Sequence, residues 1–152
     1  MILDMLIQIS LHLQDYRDFT RFIISTPKIY QEKERYYNDW ITKNTKEEKV
    51  EREHYQYIIV NGKKVKHGKY EEWYSDGQRY VLTTYKDGEI DGKFEKWYDN
   101  GQIGILTTYK NGKRDGKYEQ WHPNGQIHIL TTYKDGKIDG KYETWYDNGR
   151  KC

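Results

Sequence analysis

A repeat of fixed length constrains this chain more than any other feature. Gly68, Gly92, Gly116 and Gly140 are spaced by 24 residues, as are Trp73, Trp97, Trp121 and Trp145, and Gly77, Gly101, Gly125 and Gly149. Residues 87–110 and 111–134 agree at 16 of 24 positions. A period of this size marks a stacked array of one small unit. Each unit reads as strand, tight turn, strand, broader turn. In the first, Lys69-Tyr70-Glu71-Glu72-Trp73-Tyr74 leads through Ser75-Asp76-Gly77-Gln78 to Tyr80-Val81-Leu82-Thr83-Thr84-Tyr85, and aromatic and β-branched residues favour strands. Asp76-Gly77, Asn100-Gly101, Asn124-Gly125 and Asn148-Gly149 fit a two-residue type I′ turn, whose positive φ angles suit these residues. The stretch from Lys86 to Gly92 reads as the longer turn.

The expected register follows from that turn. Tyr74 faces Arg79, Glu72 faces Val81 and Tyr70 faces Thr83 on one face, while Trp73 pairs with Tyr80 and Glu71 with Leu82 on the other. Both faces mix rings with charges, unlike a sheet with one dry side. Equivalent residues lie two strands apart, roughly 10 Å at ~4.8 Å per strand. The columns Lys69/Lys93/Lys117/Lys141 and Glu71/Glu95/Glu119/Glu143 are therefore expected as solvated ladders.

Composition agrees with a thin sheet. Only 35% of the 152 residues are hydrophobic, yet 16% are aromatic, with 16 tyrosines and 5 tryptophans. An aliphatic core is out of reach, but each ring buries about 150–250 Å². The single cysteine, Cys152, forms no disulfide within the chain and points to a reducing compartment, the cytoplasm. No stretch reaches the ~20 apolar residues of a membrane span. Met1–Leu13 is interrupted by Asp4, Gln8 and His12 and reads as mature protein rather than a signal peptide.

The N-terminal third has a helical grammar. Ile2, Leu6, Ile9 and Leu13 recur at helical spacing opposite Asp4, Gln8, His12 and Asp15. A second helix is expected over about 16–25, stopped by Pro27, and a third over about 28–43, carrying Tyr36, Tyr37, Trp40 and Ile41. Residues 46–53, polar and helix-friendly, read as a solvated helix end or linker. The predicted organisation is α+β: a helical module over 1–46, a linker over 47–56, and over 57–152 an antiparallel meander of about eight strands opened by Tyr57-Ile58-Ile59-Val60.

The repeat resembles the MORN family in its variant form, on Gly68–Gln78 (Gly-Lys-Tyr-Glu-x-Trp-Tyr-x-x-Gly-Gln) and Thr83-Thr84-Tyr85-Lys86-Asp87-Gly88. Phe94 and His122-Pro123 are local departures. The resemblance implies binding or scaffolding without conserved chemistry, its partners ranging from proteins to membranes. Similar repeats occur in bacterial antitoxins. The N-terminus resembles an F-box at Asp4–Leu13, Asp15–Phe19, Lys28-Ile29-Tyr30 and Trp40, with Met1-Ile2 where Leu-Pro is usual. That resemblance implies docking of a Skp-type adaptor of a cullin–RING ubiquitin ligase through Met5, Leu6, Ile9 and Leu13. The alternative is a helical cap on the first sheet edge, which repeat arrays need. The combination resembles proteins of giant DNA viruses, which implies the host cytoplasm.

Nothing in the sequence marks an enzyme. Five histidines show no HExxH or other metal spacing, and one cysteine supplies no zinc cluster. Carboxylates recur in every unit, whereas an active site is normally unique, so no catalytic residue, metal ligand or cofactor is assigned. His122 and His128 flank one hairpin. Residues 55–152 hold 17 basic and 14 acidic side chains, a weak footprint for nucleic acid or anionic membrane. The leading expectation is an interaction adaptor that presents Trp73, Trp97, Trp121, Trp145, Tyr74 and Tyr98 to a target protein, since aromatics dominate such contacts. A scaffold, antitoxin-like binder or membrane-associated binder is the alternative.

Overall fold

The computed structural model describes residues 33–60 and 62–152, with side chains from Asn38 onward. The first two expected helices and the groups Met5, Leu6, Ile9 and Leu13 lie outside them. Contacts divide the chain into two units, Met1–Glu47 with Gln56–Val65, and Glu48–Tyr55 with Lys66–Cys152.

In the first unit, α1 (Lys33–Asn44) buries Trp40, and the strand residue Ile58 is fully buried. The last turn is closed by polar side chains. Asn44 Nδ2 donates to Trp40 O at 2.8 Å and Thr45 Oγ1 to Ile41 O at 2.7 Å, satisfying carbonyls that a helix end leaves open.

The strands are β1 (Lys46–Val50), β2 (Glu53–Val60), β3 (Lys63–Trp73), β4 (Arg79–Lys86), β5 (Glu89–Trp97), β6 (Ile103–Lys110), β7 (Lys113–Trp121), β8 (Ile127–Lys134), β9 (Lys137–Ile138) and β10 (Glu143–Thr144). They pair in sequence order from β1 to β8 and then β10, with β9 also on β8. The expected meander is thus present, with ten strands. Residues 46–53 correct the helix-end reading, because they form β1 and open β2. A charged, short edge strand is one way sheets avoid edge-to-edge aggregation, and Lys46-Glu47-Glu48-Lys49-Val50 is of that kind.

The two turn types are exchanged relative to expectation. Asp87 and Gly88 have φ of 52° and 89°, Asn111 and Gly112 48° and 73°, Asp135 and Gly136 50° and 82°. With Lys86 opposite Glu89 and Lys110 opposite Lys113, these are the two-residue type I′ turns. At the other end of each hairpin only the glycine has positive φ, 86° at Gly77 and 80° at Gly101. Gly77 N donates to Tyr74 O at 3.0 Å and Tyr74 N to Gln78 O at 2.8 Å, closing a three-residue loop with a bulge glycine. Asp76 and Asn100 serve there as acceptors, each Oδ1 taking the amide of Gln78 or Gln102 at 3.0 Å.

The bulge changes the register locally. Tyr70 opposes Thr83, Glu71 opposes Leu82 and Glu72 opposes Val81 as expected, but Trp73 opposes Arg79, not Tyr80. Tyr74 pairs with Gln78 through its backbone rather than with Arg79. A second irregularity lies between Thr83 and Tyr85, opposite Gly92. Gly92 has φ 113°, and a Cβ there would stand 2.5 Å from Thr84 Oγ1, so both backbone and space demand glycine.

One face of the second unit is its core. Tyr70, Val81, Thr83, Thr107, Tyr118 and Thr131 are buried. The pairs Tyr70/Tyr85, Phe94/Tyr109 and Tyr118/Tyr133 each meet edge-to-face at 5.6 Å. Phe94 keeps this contact without the hydroxyl that Tyr70 gives to Glu72 and Tyr118 to Gln120.

Candidate interaction face

The opposite face is built from Lys, Glu, Leu and Trp. Within each strand the lysine reaches two residues along: Lys69–Glu71 at 2.9 Å, and Lys93–Glu95, Lys117–Glu119 and Lys141–Glu143 at 2.7 Å. The charge columns expected as solvated ladders are therefore paired. The lysines are exposed, so each pair adds little stability; the effect is a face of alternating neutralised charge rather than a field of one sign. Lys141, then Lys151, holds the Glu143 carboxyl below its ordinary range.

Trp73, Trp97, Trp121 and Trp145 end these rows and are all half-buried. The Arg79 guanidinium lies 5.6 Å from the Trp97 ring and the Lys151 ammonium 5.4 Å from Trp145, both within cation–π range. The indoles form a row across the sheet at ~10 Å intervals.

Tyr74 and Tyr98 are held differently from the indoles. Each passes over the neighbouring strand and donates its hydroxyl to the next unit's tryptophan carbonyl, Tyr74 to Trp97 O at 2.8 Å and Tyr98 to Trp121 O at 2.7 Å. His122 Nε2 repeats the bond to Trp145 O at 2.9 Å. Burial, then Tyr80, pushes the Tyr74 hydroxyl above its ordinary pKa. These three residues therefore space the tryptophans, a role that side-chain type alone did not reveal.

Beside this bracket, on the face that carries Val81, Lys96, Ile105 and Gln120, the 24-residue pattern breaks. The position after each bulge loop holds Tyr80, Gly104, His128 and Cys152 in turn. The Tyr80 ring packs on Tyr74 at 4.8 Å and the His128 ring on His122 at 4.2 Å, so the two histidines that flank one hairpin do meet. Gly104 supplies no ring. A cavity of about 210 Å³ lies there, lined by Lys96, Trp97, Tyr98, Gly104, Ile105 and Gln120. The sequence carried its signal as the lone glycine in an otherwise side-chain-bearing column. The Tyr80 hydroxyl holds the Lys96 ammonium above its ordinary range, and Lys96 Nζ sits 4.9 Å from the Tyr80 ring centre.

Among the described residues no group of three or more His, Cys, Asp or Glu side chains is placed to hold a metal, and no helix is long and apolar enough to cross a membrane. Residues 66–87, 90–111 and 114–135 each match the MORN repeat variant, which places the repeat resemblance within the wider span of 57–152. No curated protein matches the chain. Among solved structures, the crystal structure of TarM is similar at 14% identity, covering 91% of this chain and 27% of that one, with a TM-score of 0.31. The chain spans about a quarter of that protein's length, and a likeness this loose carries no argument.

Proposed function

We propose, for a chain that carries three consecutive MORN-variant repeats, that the repeat sheet is a non-enzymatic protein-binding module. Its contact surface is the row of Trp73, Trp97, Trp121 and Trp145. The observation that carries this reading is the in-register row of half-buried indoles bordered by self-neutralised Lys–Glu pairs. Large rings held in place lose little entropy on binding, and neutralised charge favours a protein over a polyanion. Affinity capture with the full chain, compared with a Trp97→Ala/Trp121→Ala variant of matched circular dichroism, tests it. The variant should lose the captured protein. Retention of that protein, or binding that wild type shows only to anionic vesicles or single-stranded DNA, would transfer the module to another class.

The finer reading makes residues 1–46 an F-box-like arm that recruits a Skp-type adaptor in the cytoplasm, through Met5, Leu6, Ile9 and Leu13. Support for it is the motif spacing in the sequence. A purified two-component assay with a Skp-type protein decides it. Wild type should bind, and Leu6→Asp/Ile9→Asp should not. No binding by wild type leaves those helices as a cap, in a scaffold or antitoxin-like binder.

A further inference from the structure

We infer that the notch at Gly104 is a receptor for one phenol ring, the tyrosine side chain of a partner protein. The array itself contains the occupied form of this site. In the first unit Glu72, Val81 and Lys96 are cross-strand neighbours, with the Tyr80 ring stacked on Tyr74 and Lys96 lying against it. One unit later the equivalent row is Lys96, Ile105 and Gln120, and Tyr98 stands where Tyr74 stood, with the same bond to the next tryptophan carbonyl. The aliphatic floor and the flanking tyrosine are repeated, the polar neighbours change from Glu72 and Lys96 to Lys96 and Gln120, and the ring is missing because residue 104 is glycine.

The chemistry of the walls selects the occupant. Ile105 gives an apolar floor, and Tyr98 a ring to stack against. Gln120 replaces Lys96 as the polar neighbour. Its Oε1 already accepts the Tyr118 hydroxyl at 2.9 Å, while its Nε2 has no hydrogen bond among the described residues, which leaves a donor for a phenol oxygen. The volume of about 210 Å³ admits one ring and little more. Gly104 does not have positive φ, so the glycine is not required by the backbone. A Cβ there would stand 3.0–3.3 Å from three atoms of the Tyr98 ring, so a side chain at 104 requires that ring to shift.

This inference rests on the protein-binding reading only for the source of the ring, and its test reads the notch alone. Para-cresol, the tyrosine side-chain analogue, is titrated into the full chain and followed by amide NMR, with toluene as the control that lacks the hydroxyl. Saturable shifts are expected at Gly104, Ile105 and Gln120, and weaker binding by toluene. Gly104→Tyr, which copies the first unit, should fill the notch from within and weaken cresol by about tenfold or more. Gly104→His, which copies the third unit, serves the same purpose if the tyrosine variant does not fold. Absence of saturable shifts in wild type overturns the proposal, as does unchanged affinity in a folded filled variant. Either result leaves the tryptophan row to its own test.

Discussion

Thr83, Thr107 and Thr131 are the same residue of three units, and two of them explain what the residue is for. Thr83 Oγ1 donates to Lys93 O at 2.9 Å and Thr107 Oγ1 to Lys117 O at 3.0 Å, while Thr131 Oγ1, buried just as deeply, has no partner among the described residues. A buried hydroxyl that bonds contributes about 1 kcal/mol, whereas an unpaired one costs its desolvation. Thr107→Val should therefore lose ~1 kcal/mol, and Thr131→Val should be neutral or stabilising, in urea melts of the full chain. Equal losses would mean that the two hydroxyls are bonded alike. The threonines were legible as strand formers in the sequence. Their bonds were not, because the acceptor carbonyl belongs to the next strand at a bulge that only the folded register creates.

Tyrosine ionisation sets a second expectation at this scale. Burial, then Glu72, raises the Tyr70 hydroxyl above its ordinary value, and burial does the same first for Tyr85 and Tyr118. With a raised folded pKa, the unfolded chain loses its proton first. The stability from these groups is complete below pH ~10 and is lost as pH rises beyond it. Alkaline titration should show unfolding concurrent with late tyrosinate absorbance, and Tyr70→Phe should move the transition to higher pH. Tyrosinate absorbance that rises fully before any change in circular dichroism would contradict this.

At the scale of elements, both turns of each unit carry an Asx-Gly pair, which is why the sequence located the hairpins and exchanged their types. The difference lies in what the Asx side chain does. Asp87 and Asn111 take positive φ themselves, so the pair is the whole turn. Asn100 instead keeps negative φ, accepts the Gln102 amide and donates to Pro123 O at 2.8 Å, tying its loop to the next one. Asn100→Ala removes both bonds and should cost ~1–2 kcal/mol. Asn111→Ala should act through backbone strain instead, so that Asn111→Gly restores stability whereas Asn100→Gly does not. Thermal melts of the four variants distinguish the roles. Strand β1 escaped the sequence reading for a related reason: its lysines and glutamates are poor strand formers, and pairing with β2, not propensity, makes it a strand.

At the scale of the repeat unit as a whole, stability should be distributed by how many neighbours each unit has. Side chains that join units reach forward along the chain: Tyr74 to Trp97 O, Tyr98 to Trp121 O, His122 to Trp145 O, with Asn100 and Asn124 reaching the following loop. Tyr146 and Asn148 are the next donors in the series and have no such acceptor among the described residues. Around them β9 and β10 shrink to two residues each, Ile138, Tyr142 and Tyr146 are exposed, and Thr131 Oγ1 has no acceptor among the described residues. The repeat period made the array legible but treated all units as equal, since identical letters give identical local propensities; what differs is the presence of a neighbour to bond with. Amide hydrogen exchange measures that directly. Protection should be highest from β3 to β7, which have complete strands on both sides, and lowest over residues 137–146, where exchange should approach that of an unstructured chain. Gly101→Val, a β-branched residue at φ 80°, should lower protection in β5 and β6 first and in β4 and β7 next, leaving β2 nearly unchanged. Uniform loss across every strand would instead mean that the array opens as one cooperative block.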